Sequence, residues 1–552
     1  MMRKILKITA LSIITLLLGV AGLIAYLYNR VAGSHPEPTP TALLQAQPQQ
    51  LGANCYTLGN NWLRKSNSGW WEMHLEGQPF ERGVANGKLS KQLLTFQEQA
   101  FFEQICRLVP SSFYRQFLKY LIGIYNRDLE QNLTEEQKLE IYGTSLSADH
   151  KFDEIGPAYP RMMNYHAAHD IGHALQNLAL VGCTSFAAWG EHSADGQLII
   201  GRNFDFYVGD KFGENKIIAF DSPASGHKFM TITWAGMTGV VSGMNMAGLT
   251  ITLNAAKSEL PGGSATPISL LAREILQYAS NIDEAVAIAK KRQTFVAESL
   301  LIGSAQDNKA VVIEKTPTSV QVYDSQDNYL TCTNHYQSAG LGATELNKNH
   351  MRESASVYRQ QRLEELISQA GKLNPQNAAS ILRDQRGLQG QFIGYGNEKA
   401  VNQLICHHSV IFQPHKRVVW IASAPWQLGQ YRAYDLNKIF AMRGLSADQE
   451  IAEPVTIPAD TFLQTTAYRN FVKFRQLNTQ AQDGQAVPAA EFVRLDPEYY
   501  HAYVLAGDTY FKQNEFVQAR QMYQTGLTKV IASQPEERYL RKQIEKCTAK
   551  LD

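Results

Sequence analysis

Residues 181–206 read "VGCTSFAAWGEHSADGQLIIGRNFDF", and the chain changes character at this point. Upstream, from about Cys55 to Val181, the pattern is mostly helical: "SKQLLTFQEQAFFEQICRLV" (90–109) and "SSFYRQFLKYLIGIYNRDL" (111–129) place apolar residues every three or four positions, the period of an amphipathic helix. "LTEEQKLEIYGTSLSA" (133–148) opens with Thr134 as N-cap before an acidic first turn. The earlier "WWEMHLEGQPFERGVANGKL" (70–89) reads as a short strand and then a glycine-punctuated turn. Downstream, "TSFAAWG", "QLIIGRNFDF", "KIIAFDS", "KFMTITWAG" and "VVSGMNMAGLTITLNA" are short apolar segments parted by Gly, Asp or Asn, the signature of hairpins. Helices over 267–279 and 281–293 follow, then strands through "YLTCTNHY", then helices over 354–371 and in "NPQNAASILRDQ". "LICHHSVIFQP" and "RVVWIASAP" make a final hairpin. This order predicts an antiparallel α+β layering, not a βαβ sheet.

The 552 residues are 44% hydrophobic, enough for a large core and more than one domain. A formal net charge of +1 and the absence of any dense Lys/Arg run give no electrostatic case for nucleic acid. Six scattered cysteines without a CxxC pair argue against a zinc ribbon or a cysteine framework and leave one or two disulfides open.

The two ends carry their own signals. Arg3, Lys4 and Lys7 precede an uncharged, mostly apolar run from Ile8 to Asn29, which Arg30 ends. It is long enough for a transmembrane signal-anchor over residues 1–30. The basic flank favours a body outside the cytoplasm, on the periplasmic or extracellular face. The alternative is a cleaved signal peptide. Residues 31–50, rich in Pro and Gln, read as a flexible linker. The segments that follow are 51–182, 183–440 and a helical 441–552. In the last, Gly507, Tyr510, Ala519 and Tyr523 stand at the offsets of a tetratricopeptide unit, a candidate seat for a protein partner.

From Cys183 the motifs become specific. "GCTS" followed by "DGQLIIGRNFDF" resembles the start of the mature chain in cysteine N-terminal nucleophile (Ntn) hydrolases. The likeness is strongest to the acyl-CoA:6-aminopenicillanate acyltransferase family and more distant to choloylglycine hydrolases. "EGQPFERGVANGKL", "GMNMAGLTITLNA" (243–255), "TCTNHY" (331–336), "SVYRQQRLEEL" (356–366) and "SVIFQPHKRVVWIASAPW" (409–426) extend it across Gly69 to Trp426. The resemblance implies an αββα sandwich made as a precursor that cuts itself at Gly182–Cys183. It also implies an acyl-enzyme on Cys183, formed from a linear amide or thioester and passed to water or an amine. A body outside the cytoplasm favours hydrolysis, because acyl-CoA is cytosolic.

The chemistry explains the residue types. Cutting before Cys183 frees an α-amine whose ordinary pKa, about 7.7–8.0, suits a general base near neutrality. Glycine at 182 suits a close-packed scissile turn. Arg202 is placed to stabilise the thiolate and lower its pKa. Asp205, three residues on, matches the family aspartate that orients the new α-ammonium. Asn254 in "TLNA" and Asn334 in "TNHY" match family asparagines that serve the oxyanion and the nucleophile. Arg359 is the choice for the later arginine, with Arg362 close behind on the same helix. Asn245 reads as a hairpin-turn residue.

Other signals are set aside. His166, His169 and His173 share a helix face, but no carboxylate or cysteine completes a metal set. "CHH" at 406–408 reads as strand filling, and Cys332 as no second nucleophile. No cofactor or metal is expected, and the ligand is a small amide or acyl compound. A competing reading keeps the C-terminal repeat as a membrane-anchored scaffold on a degenerate hydrolase body. The two are separated by denaturing electrophoresis and intact mass: the natural chain gives two fragments, Cys183→Ala gives one chain, and a variant that still splits at this bond removes the self-cleavage reading.

Overall fold

The computed structural model describes residues 11–12, 14–26, 35–126, 128–174, 182–206, 209–257, 264–446 and 449–552. The expected membrane helix is not found. Residues 14–26 are helical, but among the described residues no helix is long and apolar enough to cross a membrane; positions 8–10, 13 and 27–29 of the apolar run lie outside them.

Two sheets stack face to face. The larger has eleven strands: β1 (Gln49–Gly52), β2 (Cys55–Leu58), β3 (Asn61–Lys65), β4 (Trp71–Gly77), then β7 (Ile217–Pro223), β8 (Phe229–Thr233), β9 (Ser242–Asn245), β10 (Leu249–Ala255), β11 (Glu298–Ser304), β12 (Lys309–Lys315) and β13 (Val320–Tyr323). The smaller has the order β14 (Tyr329–Cys332), β5 (Thr184–Ala188), β6 (Ile199–Phe204), β15 (His408–Gln413), β16 (Val418–Ala422) and β17 (Tyr431–Asp435). Between them lies an apolar layer built from both inner faces, including Phe220, Met230, Leu301 and Val312 of one sheet and Ile200, Val410, Phe412 and Ile421 of the other. The outer face of the large sheet is covered by helices Ile268–Tyr278 and Ile282–Lys291, that of the small sheet by helices Ser356–Ala370 and Pro375–Leu382. Alternate strand residues serve opposite faces, and the central strands of both sheets, such as β5, β6, β10 and β11, are buried on both sides.

The strands expected after Cys183 form, and β17 adds a third member to the closing hairpin. Four expectations upstream need correction. Residues 55–69 hold β2 and β3, too short to show a clear period, in a stretch read as mostly helical. β4 pairs in parallel with β7 from Trp71↔Ile217 to Gly77↔Pro223, an exception to the antiparallel expectation, because β4 reaches this edge from outside the hairpin series. Residues 35–50 are not a free spacer: Thr41 caps a short 3₁₀ turn, His35 stacks on Tyr142, and Lys88 Nζ donates to the carbonyls of Leu44 and Ala46.

The glycine-punctuated "FERGVANGKL" is likewise no turn but helix Pro79–Leu89. Its glycines serve a crossing with helix Glu135–Ser145. A Cβ on Gly83 would stand 2.1 Å from the Glu140 carbonyl oxygen, and one on Gly143 2.6 Å from that of Phe80. Buried Arg82 locks the pair through Glu140 and Glu136.

The C-terminal helices Thr466–Gln482, Ala489–Leu495, Tyr500–Lys512, Phe516–Gly526 and Gln534–Leu551 form their own apolar cluster. Gly507 lies under the ring of Tyr523, where a Cβ would meet the ring at 2.4 Å. Cys106, Cys183, Cys332, Cys406 and Cys547 are free thiols, so the disulfides left open by the sequence do not involve them. Gly83→Ala is expected to lower stability by about 1–3 kcal/mol through forced separation of two helices, read as a shift in the urea midpoint.

Candidate active site

The Gly182–Cys183 junction leads directly into β5. Antiparallel pairing with β6 sets Ser185 opposite Arg202 and Thr184 opposite Asn203, which brings the guanidinium beside the start of the strand. Arg202 Nη2 lies 3.7 Å from Cys183 Sγ. This fully buried guanidinium also donates to the carbonyls of Val241 and Leu253 and to Ser242 Oγ. Ser242 Oγ in turn meets His408 Nε2 at 2.7 Å. The "CHH" stretch therefore does more than fill a strand: His408 backs the group that holds Arg202. Burial first, then His407, Arg202 and Lys216, keeps His408 well below its ordinary pKa, hence neutral.

Arg359 comes from the first turn of helix Ser356–Ala370. Its Nη1 is shared among the Gly182 carbonyl at 2.8 Å, the Cys183 carbonyl at 2.7 Å and Thr184 Oγ1 at 2.8 Å. Its Nη2 donates to Asn334 Oδ1 at 2.7 Å. Arg362 faces elsewhere, paired with Asp384 and Glu365. Asn334 is fixed from its other side by donating Nδ2 to the Ala255 carbonyl. Its backbone N–H donates to Ser356 Oγ.

Asp205 is buried below Gly182, whose N–H donates to the Asp205 carbonyl at 3.0 Å. Asp205 Oδ2 accepts from Gln403 Nε2 at 3.3 Å, and the same nitrogen donates to the Gly182 carbonyl at 2.9 Å. Two acceptors facing one amide group fix which end is nitrogen. Sequence reasoning passed over Gln403, Ser242 and Thr184. Gln403 sits in a loop without a motif, and only the folded chain brings it to Gly182.

Asn254 is the penultimate residue of β10, next to Leu253. Its Nδ2 donates to the Cys332 carbonyl at 2.9 Å and its Oδ1 accepts from Ser185 Oγ at 2.9 Å. It is tied to β5 by Ser185, with part of its amide already engaged. Cys332 is packed within the sheet, and burial raises its thiol pKa. Asn245 closes the β9–β10 hairpin by accepting from the N–H groups of Ala247 and Leu249. The left-handed position in that turn is Gly248 (φ +82°). His166 is a structural residue: Nδ1 donates to the Met162 carbonyl and Nε2 accepts from Thr238 N–H. The side chains of His169 and His173 lie outside the described residues.

One electrostatic expectation is reversed. Burial pushes the Cys183 thiol up to about 11, against the pull of Arg202. With Cys183 only 1% exposed, loss of hydration outweighs one guanidinium at 3.7 Å, and the intact chain keeps the thiol protonated. Burial likewise raises Asp205 to about 7, against Arg359. The site is thus a buried proton store with donors converging on the Gly182 carbonyl.

Comparison with known proteins identifies the matching stretch. Residues 192–425 match the family model described as acyl-coenzyme A:6-aminopenicillanic acid acyl-transferase. This part of the chain resembles that family. It contains Arg202, Asp205, Asn254, Asn334, Arg359 and Gln403 and begins after Cys183. An uncharacterised protein of Archaeoglobus fulgidus is 26% identical over 253 residues, 43% of this chain and 42% of its own length. The chain spans about half the length of the curated relatives it matches. Among solved structures, it is similar to a Caenorhabditis elegans N-acylethanolamine-hydrolyzing acid amidase ortholog. The identity is 19% and the TM-score 0.31, over 42% of this chain and 93% of that one. A mutant conjugated bile acid hydrolase from Clostridium perfringens gives 14%, 0.33, 50% and 98%.

The raised Asp205 has a signed consequence. An acid whose folded pKa lies above its unfolded value of about 4 stabilises the fold fully below that value, and the contribution is lost as pH rises through about 7. In a Cys183→Ala background, Asp205→Asn should remove this slope. Its gain over the parent at about pH 8 should be on the order of 4 kcal/mol, measured by denaturant unfolding across pH.

Proposed function

We propose that this chain is a self-processing cysteine Ntn hydrolase or acyltransferase. In this reading the precursor cuts Gly182–Cys183, and the freed Cys183 thiol then takes an acyl group from a linear amide or thioester and passes it to water or an amine. The observation that carries it is the Gly182 carbonyl, held at 2.8 Å by Arg359 and 2.9 Å by Gln403 beside a thiol that Arg202 faces. A peptide carbonyl inside a buried cluster of donors is polarised for attack. The helix–sheet–sheet–helix layering and the match to the acyl-transferase family support the same reading.

The roles follow from position. Cys183 Sγ is the nucleophile. Its new α-amine, beside the Asp205 carboxyl, acts as base toward the thiol and as acid toward the leaving group. Arg202 faces the developing thiolate. Arg359, oriented by Asn334, holds the strand on which the nucleophile sits. Asn254 contributes amide polarity from β10 of the facing sheet. Cys183 belongs to an apolar cluster with Met237, Val241 and Phe229, and half-buried Phe206 and Trp234 pack against it. An apolar acyl group suits those surroundings, with the amide at the polar junction.

N-terminal sequencing of the purified protein should return Cys-Thr-Ser-Phe for one fragment. Incubation with N-acyl amino acids or other linear amides should leave an acyl mass increment on that fragment alone, and a processed protein that never acquires one across such a panel removes the acyl-enzyme reading.

A further inference from the structure

Gln403 belongs to a loop, residues 393–404, that the C-terminal helices grip along its length. The Tyr395 N–H donates to Asp496 Oδ2 at 2.7 Å, and Tyr499 Oη donates to the Gly396 carbonyl at 3.1 Å. Asn397 Nδ2 donates to the Val530 carbonyl at 2.9 Å, and Tyr500 Oη meets Glu398. At Gly394 the contact is so close that a Cβ would lie 2.4 Å from Tyr499 Cα. The residue after Gln403 is strained. Leu404 has φ +56°, a left-handed conformation that a side chain of this kind adopts at a cost of about 1–3 kcal/mol. Its side chain packs with Leu428 and with Phe471 of the first C-terminal helix, and Arg475 of that helix donates to its carbonyl at 3.5 Å.

The strained turn aims Gln403 at the scissile residue. A Cβ on residue 182 would stand 2.4 Å from Gln403 Nε2, so the amide occupies the space that glycine leaves open. Self-cleavage at this bond would begin with Cys183 Sγ adding to the Gly182 carbonyl carbon, which puts negative charge on the oxygen that Gln403 and Arg359 already contact. The Gly182–Cys183 C–N bond then breaks, the nitrogen takes the thiol proton, and a thioester joins Gly182 to Sγ. Water hydrolyses the thioester, giving the Gly182 carboxylate and restoring the thiol.

Building on the self-processing reading, we propose that Gln403 is an oxyanion donor for the cleavage of Gly182–Cys183, and that the C-terminal helices, by holding Leu404 in its strained turn, hold Gln403 in place. Self-cleavage then waits for these helices to dock, so that a part of the chain made well after the bond and its thiol licenses the cut.

The test follows full-length chain in a timed cell-free translation, quenched into denaturing electrophoresis. Gln403→Ala should slow the appearance of fragments by about 100-fold, the effect of removing one oxyanion donor. Gln403→Glu lacks the donor when ionised and regains one when protonated. Its rate relative to the natural chain should therefore climb as pH is lowered from about 8 to about 5, while the Gln403→Ala ratio stays flat. Phe471→Ala, remote from the bond, should slow cleavage at least about tenfold while circular dichroism shows the helices retained. A natural chain that never splits defeats the underlying self-processing reading. A natural chain that splits, with Gln403→Ala keeping pace, overturns the role of Gln403. A Gln403→Glu ratio flat with pH overturns it too, by assigning Gln403 to structure alone. Cleavage at the natural rate in Phe471→Ala, or its loss together with the helical signal, overturns the licensing role of the helices.

Discussion

A buried guanidinium has no water to fall back on, and Arg359 meets that constraint by drawing four protein oxygens to itself. An uncompensated cation there would cost several kcal/mol, so the surrounding backbone has little freedom to arrange itself otherwise. Because three of the acceptors belong to consecutive residues 182–184, the strand that starts at Thr184 is fixed at its first residue. From there the β5–β6 register follows, then the position of Arg202, then the Ser242–His408 pair behind it. The helix that carries Arg359 and the strand that carries the thiol are thus one electrostatic unit across two layers of the fold.

Much of this was legible along the chain because the residues that make chemistry also make pattern. Arg202 and Asp205 are three positions apart at the end of one strand segment, and Asn254 and Asn334 end others. A period of two marks where each strand stops. The choice between Arg359 and Arg362 needed the helix's orientation, which depends on packing against the small sheet. Gln403 left no trace, since its role comes from a left-handed turn at Leu404, a residue whose identity predicts no such backbone. The upstream strands were hidden for another reason. β2 and β3 have four and five residues, and their order comes from neighbours in the sheet more than from local preference. The glycines of helix Pro79–Leu89 misled for the same cause, because a glycine needed for close helix approach looks like one needed for a turn.

The thiol illustrates competition between two effects of opposite sign. A neighbouring guanidinium favours thiolate, but complete burial disfavours any charge more strongly, and the second prevails. A chain in this state holds this thiol neutral, with Asp205 also drawn toward its neutral form. Reactivity in such an arrangement depends on proton transfer within the cluster rather than on a standing thiolate.

The β4–β7 ladder carries a consequence of a different kind. The two strands lie on opposite sides of the Gly182–Cys183 bond, and parallel hydrogen bonding joins them along their length. In the intact chain, bringing them together is a unimolecular event whose entropy is that of closing a loop. If the bond is cut, the same ladder becomes an interface between two polypeptides that share a single sheet. The fragments stay together while folded, but once unfolded they must find each other by diffusion. The order of events would then matter: this sheet is assembled at first order from the intact chain and could be reassembled afterwards only at second order, at a rate that falls with dilution.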